Sequence, residues 1–285
     1  FHYTYGGIRK ARTTVRCNDV VLTFTGKEVI WDMQQWKNLL ASAESDTISF
    51  LSEISLKGGK KECLEWEIYV SPDKIDPYLS YRLIEPGYEV WHEVEIRERC
   101  VENFEERALS DWQNTGNSCM NCHIHSQARA DLSMFYVRGK NGGAFLNRNG
   151  ELRKLALNSE KMVSGTVYGE IHPSGRYGVF SSNIIIPGFH TQGSRRLEVY
   201  DTESDLVIVD FDENGLSVPQ ALARKDVLET FPVFSADGKS IYYCAADTLA
   251  LPREIEKLRY SLMRIAFDEN TGRIGQESEI VWDAS

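Results

Sequence analysis

Apolar and polar residues alternate along the first seventy residues of the chain. Three stretches, 20–25, 48–56 and 64–70, alternate with a period of two residues, and the first two of them end at Gly26 and Gly58. This period places successive side chains on opposite faces of a strand, and glycine favours the turns between strands. The pattern predicts short antiparallel strands packed as an N-terminal β-sandwich-like module over residues 1–72.

Two segments have helical periodicity instead. Trp36, Leu39 and Leu40 have helical spacing within 31–40, which predicts a short helix connecting two strands. A second set of apolar residues recurs about every 3.6 positions, among glutamates and arginines that would form a solvated face. This set is Val90, Trp91, Val94, Val101, Phe104, Ala108 and Leu109. Together with prolines further upstream, it predicts a helical and extended connector over residues 73–140.

An internal repeat follows the connector. Residues 173–181 align with residues 236–244 at a constant offset of 63, and each copy has a Gly-containing turn followed by a strand. A strand that ends in an acidic turn then follows each copy, and 144–150 is a weaker version of that second half. Such a succession of strands and turns is typical of four-stranded propeller blades. The pattern predicts an apparently incomplete β-propeller of about two and a half blades over 141–285, and we expect the natural chain to continue beyond Ser285.

Composition excludes several classes of protein. The 285 residues are 42% hydrophobic and 26% charged, and no apolar run approaches the ~20 residues that a membrane-spanning helix needs. The formal net charge of −10 argues against nucleic acid as a partner. The chain starts at Phe1 without an apolar leader segment, so we expect a mature or trimmed product.

One short motif carries recognisable chemistry. Cys119, Cys122 and His123 have the spacing C-x-x-C-H, which is the attachment signature of c-type haem. In this interpretation the two thiols form thioethers with the porphyrin and His123 binds the iron. A disulfide or a thiol pair, and a site for another metal, remain alternatives. No second C-x-x-C is present to complete a zinc site.

The motif and the repeat together resemble a known group of proteins. The turn at 234–239 resembles the blade signature of TolB-like β-propellers. The stretch from 78–88 through the cysteine motif to 172–175 resembles secreted, lipid-anchored bacterial envelope proteins in which a C-x-x-C-H segment precedes such a propeller. The resemblance implies export to the periplasm or the outer-membrane surface. It also implies the arrangement of the domains, but it does not define an activity.

The sixth ligand of the iron is open at the sequence level. Met134 stands 11 residues after His123 in a predicted strand, and a methionine sulfur at this position would raise the reduction potential. The alternative is that Met134 fills the core, as methionines in apolar strands usually do. His172 and His190 are competing candidates, although hydrogen bonding to the backbone is the commoner role of a histidine placed like His172.

The remaining cysteines are too scattered to form a metal site. We expect Cys17, Cys63, Cys100 and Cys244 to be buried thiols or to form a pair of disulfides, and the sequence does not fix their connectivity. Cys244 aligns with Ser181 in the repeat, which predicts a buried free thiol at an inward-facing position.

These observations lead to one functional hypothesis and one alternative. We expect a mainly-β, exported haem c-binding protein that transfers electrons or senses redox state at the bacterial envelope, with an unknown redox partner and with any lipid anchor outside this chain. The alternative is a propeller-based binding or scaffold module for a protein, a glycan or a small ligand, in which the haem or a disulfide is structural.

Overall fold

The computed structural model describes most of the chain. The described residues are 6–43, 45–73, 75–84, 94–103, 105–113, 115–118, 120–129, 131–139, 142–189 and 197–284. Cys119, His190 and the apolar residues Val90, Trp91 and Phe104 lie outside these ranges. Within them the structure contains twenty β-strands and one α-helix, which confirms the predicted mainly-β class. The chain divides into two compact units, Phe1–Leu79 with Arg99–Glu106 and Ser80–Glu98 with Arg107–Ser285.

The first unit contains one four-stranded antiparallel sheet and one helix. Its elements are β1 (Ile8–Cys17), β2 (Val20–Thr25), α1 (Met33–Ser42), β3 (Thr47–Leu56) and β4 (Lys61–Tyr69), and the strand order is β2-β1-β3-β4.

The predicted helix is confirmed, and it changes the expected sandwich. The carboxylate of Asp32 caps α1 by accepting the backbone N–H of Gln35 at 3.0 Å. Leu39 of α1 is fully buried in a cluster with Ile48 and Phe50 of the sheet. The apolar stripe of the helix therefore covers the sheet where a sandwich would have a second sheet.

The predicted helical connector is wrong for the residues that the structure describes. They form a three-stranded sheet of β5 (Tyr78–Leu83), β6 (Glu95–Cys100) and β7 (Glu106–Ser110) in this order. A tight turn separates β6 from β7: the N–H of Cys100 donates to the carbonyl of Glu105 at 2.8 Å, and the side chain of Asn103 accepts the N–H of Glu105. Asparagine stabilises such turns through its side chain, and this turn interrupts the helical period.

Three larger antiparallel sheets lie in the second unit, two with four strands and one with five, and in each of them four strands follow one another in chain order. The first sheet has β8 (Met120–His125), β9 (Leu132–Val137), β10 (Gly143–Arg148) and β11 (Glu151–Leu155). The second has β12 (Thr166–Ile171), β13 (Tyr177–Phe189), β14 (Leu197–Asp210) and β15 (Gly215–Ser217). The third has β16 (Val227–Phe234), β17 (Ser240–Asp247), β18 (Ser261–Asp268) and β19 (Arg273–Ile274), with β20 (Glu279–Trp282) also paired to β18.

These sheets have the strand arrangement of propeller blades. The repeat offset of 63 places Gly175 and Gly238 in equivalent hairpin turns, with φ of +78° and +72°. The weak copy at 144–150 corresponds to β10 and its turn, and β8 and β9 complete that sheet. Cys122 and His123 of the cysteine motif thus belong to the edge strand β8 of the first sheet instead of preceding the blades.

Two apolar cores lie among the three sheets. One joins residues of the first and second sheets, including Phe180 and Phe211, and the other joins residues of the second and third sheets, including Tyr243. Phe180, Phe211 and Tyr243 are almost completely buried. No helix in the described part of the chain is long and apolar enough to cross a membrane.

Candidate functional site

Cys122 and His123 of the cysteine motif lie at a β-bulge in the edge strand β8. Asn121 pairs with Tyr136 and His123 pairs with Phe135, so Cys122 is an extra residue with no cross-strand position of its own. Its φ of +51° is unusual for a residue with a side chain. Bulges redirect the side chains around them and occur often next to functional sites.

The strand register separates Met134 from His123. His123 lies opposite Phe135, and the next pair along the strands is Ile124 with Met134. Because side chains alternate between the two faces of a sheet, His123 and Met134 belong to opposite faces. Met134 is fully buried in the apolar core with Leu146. The structure therefore does not bring Met134 to His123, and Met134 fills the core, the alternative that the sequence left open.

Ser80 of β5 holds two imidazoles. Its backbone carbonyl accepts a hydrogen bond from the ring of His123. Its Oγ lies 2.8 Å from Nε2 of His125, whose Nδ1 lies 3.2 Å from the carbonyl of Arg129. Since a carbonyl only accepts, Nδ1 of His125 is the donor and Nε2 accepts from the Ser80 hydroxyl. Both nitrogens of His125 are thus engaged.

His123 is suited to bind a metal. Burial lowers the pKa of His123, and the nearby His125 and Arg82 lower this pKa further, against the hydrogen bond to Ser80. A lower pKa favours the neutral imidazole, which has a lone pair on one nitrogen. Metal-binding histidines usually donate their other N–H to a carbonyl, as His123 does to Ser80.

Cys122 and His123 line a common cavity of about 560 Å³, which we call the attachment cavity. Arg82 and Arg138 also line this cavity, and so does an aromatic pair of Tyr168 and Phe231 with ring centroids 4.5 Å apart. The cavity thus combines a thiol, an imidazole, two cationic side chains and apolar surface. Such a combination fits a flat apolar macrocycle that carries carboxylates.

His172, a competing iron ligand, has another role. Its side chain is 1% exposed, and its Nδ1 accepts the backbone N–H of Ser174 at 3.0 Å. Nε2 therefore carries the proton and donates to the carbonyl of Gly238 at 2.9 Å. His172 thus joins the equivalent turns of the second and third sheets, and the expectation that it hydrogen-bonds to the backbone is confirmed.

The prediction for Cys244 is confirmed in part. Cys17, Cys63, Cys100 and Cys244 carry free thiols, so none of the four is in a disulfide. Cys17 and Cys100 are buried as expected, whereas Cys63 is exposed, and the expectation of a buried or disulfide-bonded Cys63 is wrong. Cys244 is half-buried instead of fully buried, and burial raises the pKa of its thiol. No group of three or more His, Cys, Asp or Glu side chains arranged to hold a metal occurs within the described residues.

The residues around the motif come from distant parts of the sequence. Ser80, Arg82, Tyr168 and Phe231 were not predicted from the sequence, because only strand pairing and sheet packing bring them to β8. The sequence contained a partial indication of Arg82, which lies within the stretch 78–88 on which the resemblance depends. Nothing in that stretch distinguishes Arg82 from a surface arginine.

Comparisons with known proteins show distant likeness only. No protein-family model and no curated protein matches the sequence. Similar solved structures include the tricorn protease, with 10% identity and a TM-score of 0.37 over 85% of this chain and 23% of that one. An oligogalacturonate lyase in complex with manganese has 12% identity and a TM-score of 0.37 over 79% of this chain and 61% of that one. A post-proline cleaving enzyme from Rickettsia typhi has 7% identity and a TM-score of 0.26 over 73% and 45%.

This chain therefore spans less than two thirds of each of those chains. Likeness of this degree assigns no family and no activity to the protein. Its class, a mainly-β protein with propeller-type sheets, follows from its own strand order and internal repeat.

Proposed function

We propose that this protein is an exported haem c-binding protein that transfers electrons or senses redox state at the bacterial envelope. The haem would be attached through Cys119 and Cys122, and His123 would bind its iron. One observation carries the proposal: Cys122 and His123, two members of the attachment signature, line the same cavity. The bound haem would supply a one-electron iron couple whose potential depends on its ligands and surroundings.

Each described residue of the attachment cavity has a role in this proposal. Ser80 orients His123 by accepting its N–H, which leaves the lone pair of the other nitrogen for iron. Arg82 and Arg138 would pair with the propionate carboxylates of the haem, and Tyr168 and Phe231 would contact its apolar surface. Met134 is not part of the proposal, because its side chain belongs to the other face of the sheet.

A second candidate function is a propeller-based binding or scaffold module in which the haem or a disulfide is structural. The long β13–β14 hairpin favours it, because this hairpin continues beyond its pairing with β12 to Phe189 and Leu197. Its extension exposes apolar residues, which often mark interaction surfaces. These residues are Ile184 (37% exposed), Ile185 (52%), Ile186 (43%) and Val199 (50%).

Covalent haem attachment is tested by producing the chain in a bacterial periplasm together with a haem c maturation system. We expect a Soret band that survives acid–acetone extraction, because thioether bonds resist this treatment. Cys122→Ser and Cys119→Ser are each expected to lower the extraction-resistant haem, and the double variant is expected to abolish it. Cys63→Ser is the matched control, since Cys63 is an exposed thiol on β4 in the other unit.

Two results would contradict the proposal. One is a colourless protein in which Cys119 and Cys122 are bonded to each other, which would support the structural disulfide. The other is haem that stays bound in the double cysteine variant after extraction. If covalent haem is present, a redox titration separates the two functions, since a haem that cannot be reduced would favour the scaffold.

A further inference from the structure

The outer face of the first sheet, which carries His123, borders a second cavity. This cavity has a volume of about 730 Å³, and its lining includes Ile96, Leu109, His125, Phe135 and Phe145. We call it the outer-face cavity. His123 borders both cavities, whereas Cys122 lines the attachment cavity. The volume lies within the ~300–1,000 Å³ that is usual for small-molecule sites.

Strand pairing arranges the floor of the outer-face cavity in two rows. The first row runs across three strands from His123 to Phe135 and Phe145. The two phenylalanine rings stack, with centroids 5.5 Å apart and planes 14° from parallel. This row offers apolar surface against which an aromatic ring can pack. The Nζ of Lys154 lies 5.8 Å from the centroid of the Phe145 ring.

The second row is polar. It runs from His125 to Ser133 and Asn147 on the same three strands. The two rows are neighbours on one face of the sheet, because they are two residues apart on each strand. A molecule lying on the aromatic row would thus have its edge beside Ser133.

A chain of hydrogen bonds sets the direction of the Ser133 hydroxyl. The backbone N–H of Gly150 donates to Oδ1 of Asn147 at 3.0 Å, which fixes the orientation of that amide. The amide nitrogen then donates to Oγ of Ser133 at 3.2 Å. Ser133 is therefore the acceptor in this bond, and its own hydroxyl hydrogen is left to donate to a ligand.

We propose that the outer-face cavity binds a neutral planar aromatic molecule that carries an acceptor oxygen, such as an aryl ketone. The ring would pack against Phe135 and Phe145, and the oxygen would accept the hydroxyl hydrogen of Ser133. The lining residues of this cavity in the described part of the chain include no Asp, Glu, Lys or Arg. The Nζ of Lys154, 5.8 Å from the centroid of the Phe145 ring, disfavours a cation, so a neutral ligand is favoured. The proposal does not depend on haem attachment.

A pair of matched probes tests this site on the full chain. 2-Acetylnaphthalene carries the acceptor oxygen, 2-ethylnaphthalene lacks it, and neither reacts with thiols. Isothermal titration calorimetry should show one ketone bound per chain, with an affinity ~5–10-fold above that of the hydrocarbon, as expected for one additional hydrogen bond. Phe145→Leu is expected to weaken both probes, because it removes the stacked ring.

Ser133→Ala distinguishes the proposed hydrogen bond from general apolar binding. It should abolish the ~5–10-fold preference for the ketone and leave the affinity for the hydrocarbon unchanged. Ser217→Ala, at an exposed position of β15 in the second sheet, should retain the preference. The proposal is overturned if the wild-type chain binds neither probe or binds both equally, or if Ser133→Ala keeps the preference.

Discussion

Gly238→Ala should lower the free energy of unfolding by about 2–5 kcal/mol, a large loss for the addition of a single methyl group at a buried position in a turn. The backbone at this position has φ of +72°, and a Cβ atom would stand 2.3 Å from Nε2 of His172. A residue with a side chain costs about 1–2 kcal/mol in this left-handed conformation. Displacing His172 would also break its bond to the Gly238 carbonyl and leave a buried N–H without a partner, at about 1–3 kcal/mol.

Gly150→Ala is the matched control for this prediction. Gly150 also occupies a hairpin turn with positive φ, at +86°, but nothing lies within 4 Å of the position of a Cβ atom. Gly150→Ala should therefore lower the free energy of unfolding only by the cost of a side chain in the left-handed backbone conformation, about 1–2 kcal/mol. Urea unfolding followed by circular dichroism measures both variants. Equal losses would show that His172 does not join the two turns as the structure describes.

The turn signals of the repeat were readable from the sequence because turn chemistry is local. Asp237 accepts the backbone N–H of Lys239 within its own turn, and Asp268 does the same for Asn270. Gly175 and Gly238 have the positive φ that these turns require. Residues within a few positions of each other determine all of these features, so an alignment at a fixed offset could detect them.

The first sheet was only half predicted, for a physical reason. The connection between β8 and β9 has no Asp-Gly or Ser-Gly turn; it contains a short 3₁₀ turn, and Gln127 donates to the carbonyl of Ala236 in the third sheet. The bulge at Cys122 also breaks the period of two within β8. The position of β8 thus depends on long-range contacts and on a register shift. The local turn signals that identified the other strands are missing there.

The candidate site shows the same division between local and long-range information. Cys122 and His123 were found because their spacing is itself the signal. Met134 was proposed as an iron ligand because of its distance from His123 along the chain. The sheet face on which a strand residue lies depends on the strand register, and a bulge shifts that register. An arginine such as Arg82 has no distinguishing sequence context, so only the structure places it beside the motif.

Arg224→Met should also lower the free energy of unfolding at pH 7, by about 2–3 kcal/mol. Glu229 is completely buried on β16, and Nε of Arg224 donates to its Oε1 at 2.6 Å. Removing one partner of a fully buried ion pair costs about 3–5 kcal/mol, because it leaves an uncompensated charge. The expected loss is smaller here, since the Arg224 side chain is 40% exposed and the backbone N–H of Arg224 still donates to Glu229.

The loss should shrink as the pH falls. Burial raises the pKa of Glu229, and the hydrogen bonds and charge of Arg224 oppose this rise. In Arg224→Met the pKa of the folded state is therefore higher still. A carboxyl whose pKa is raised on folding contributes most stability below its unfolded pKa and loses that contribution as the pH rises through its folded pKa.

Urea unfolding at pH 5 and pH 7 checks this dependence, with Glu229→Gln added to Arg224→Met as the control. Because glutamine stays neutral, the double variant should be more stable than Arg224→Met at pH 7. This advantage should be smaller at pH 5, because the raised pKa of Glu229 lets the folded state take up a proton more readily as the pH falls. If the double variant is no more stable than Arg224→Met at pH 7, Glu229 carries no charge in the folded Arg224→Met chain at that pH, and the predicted dependence is wrong.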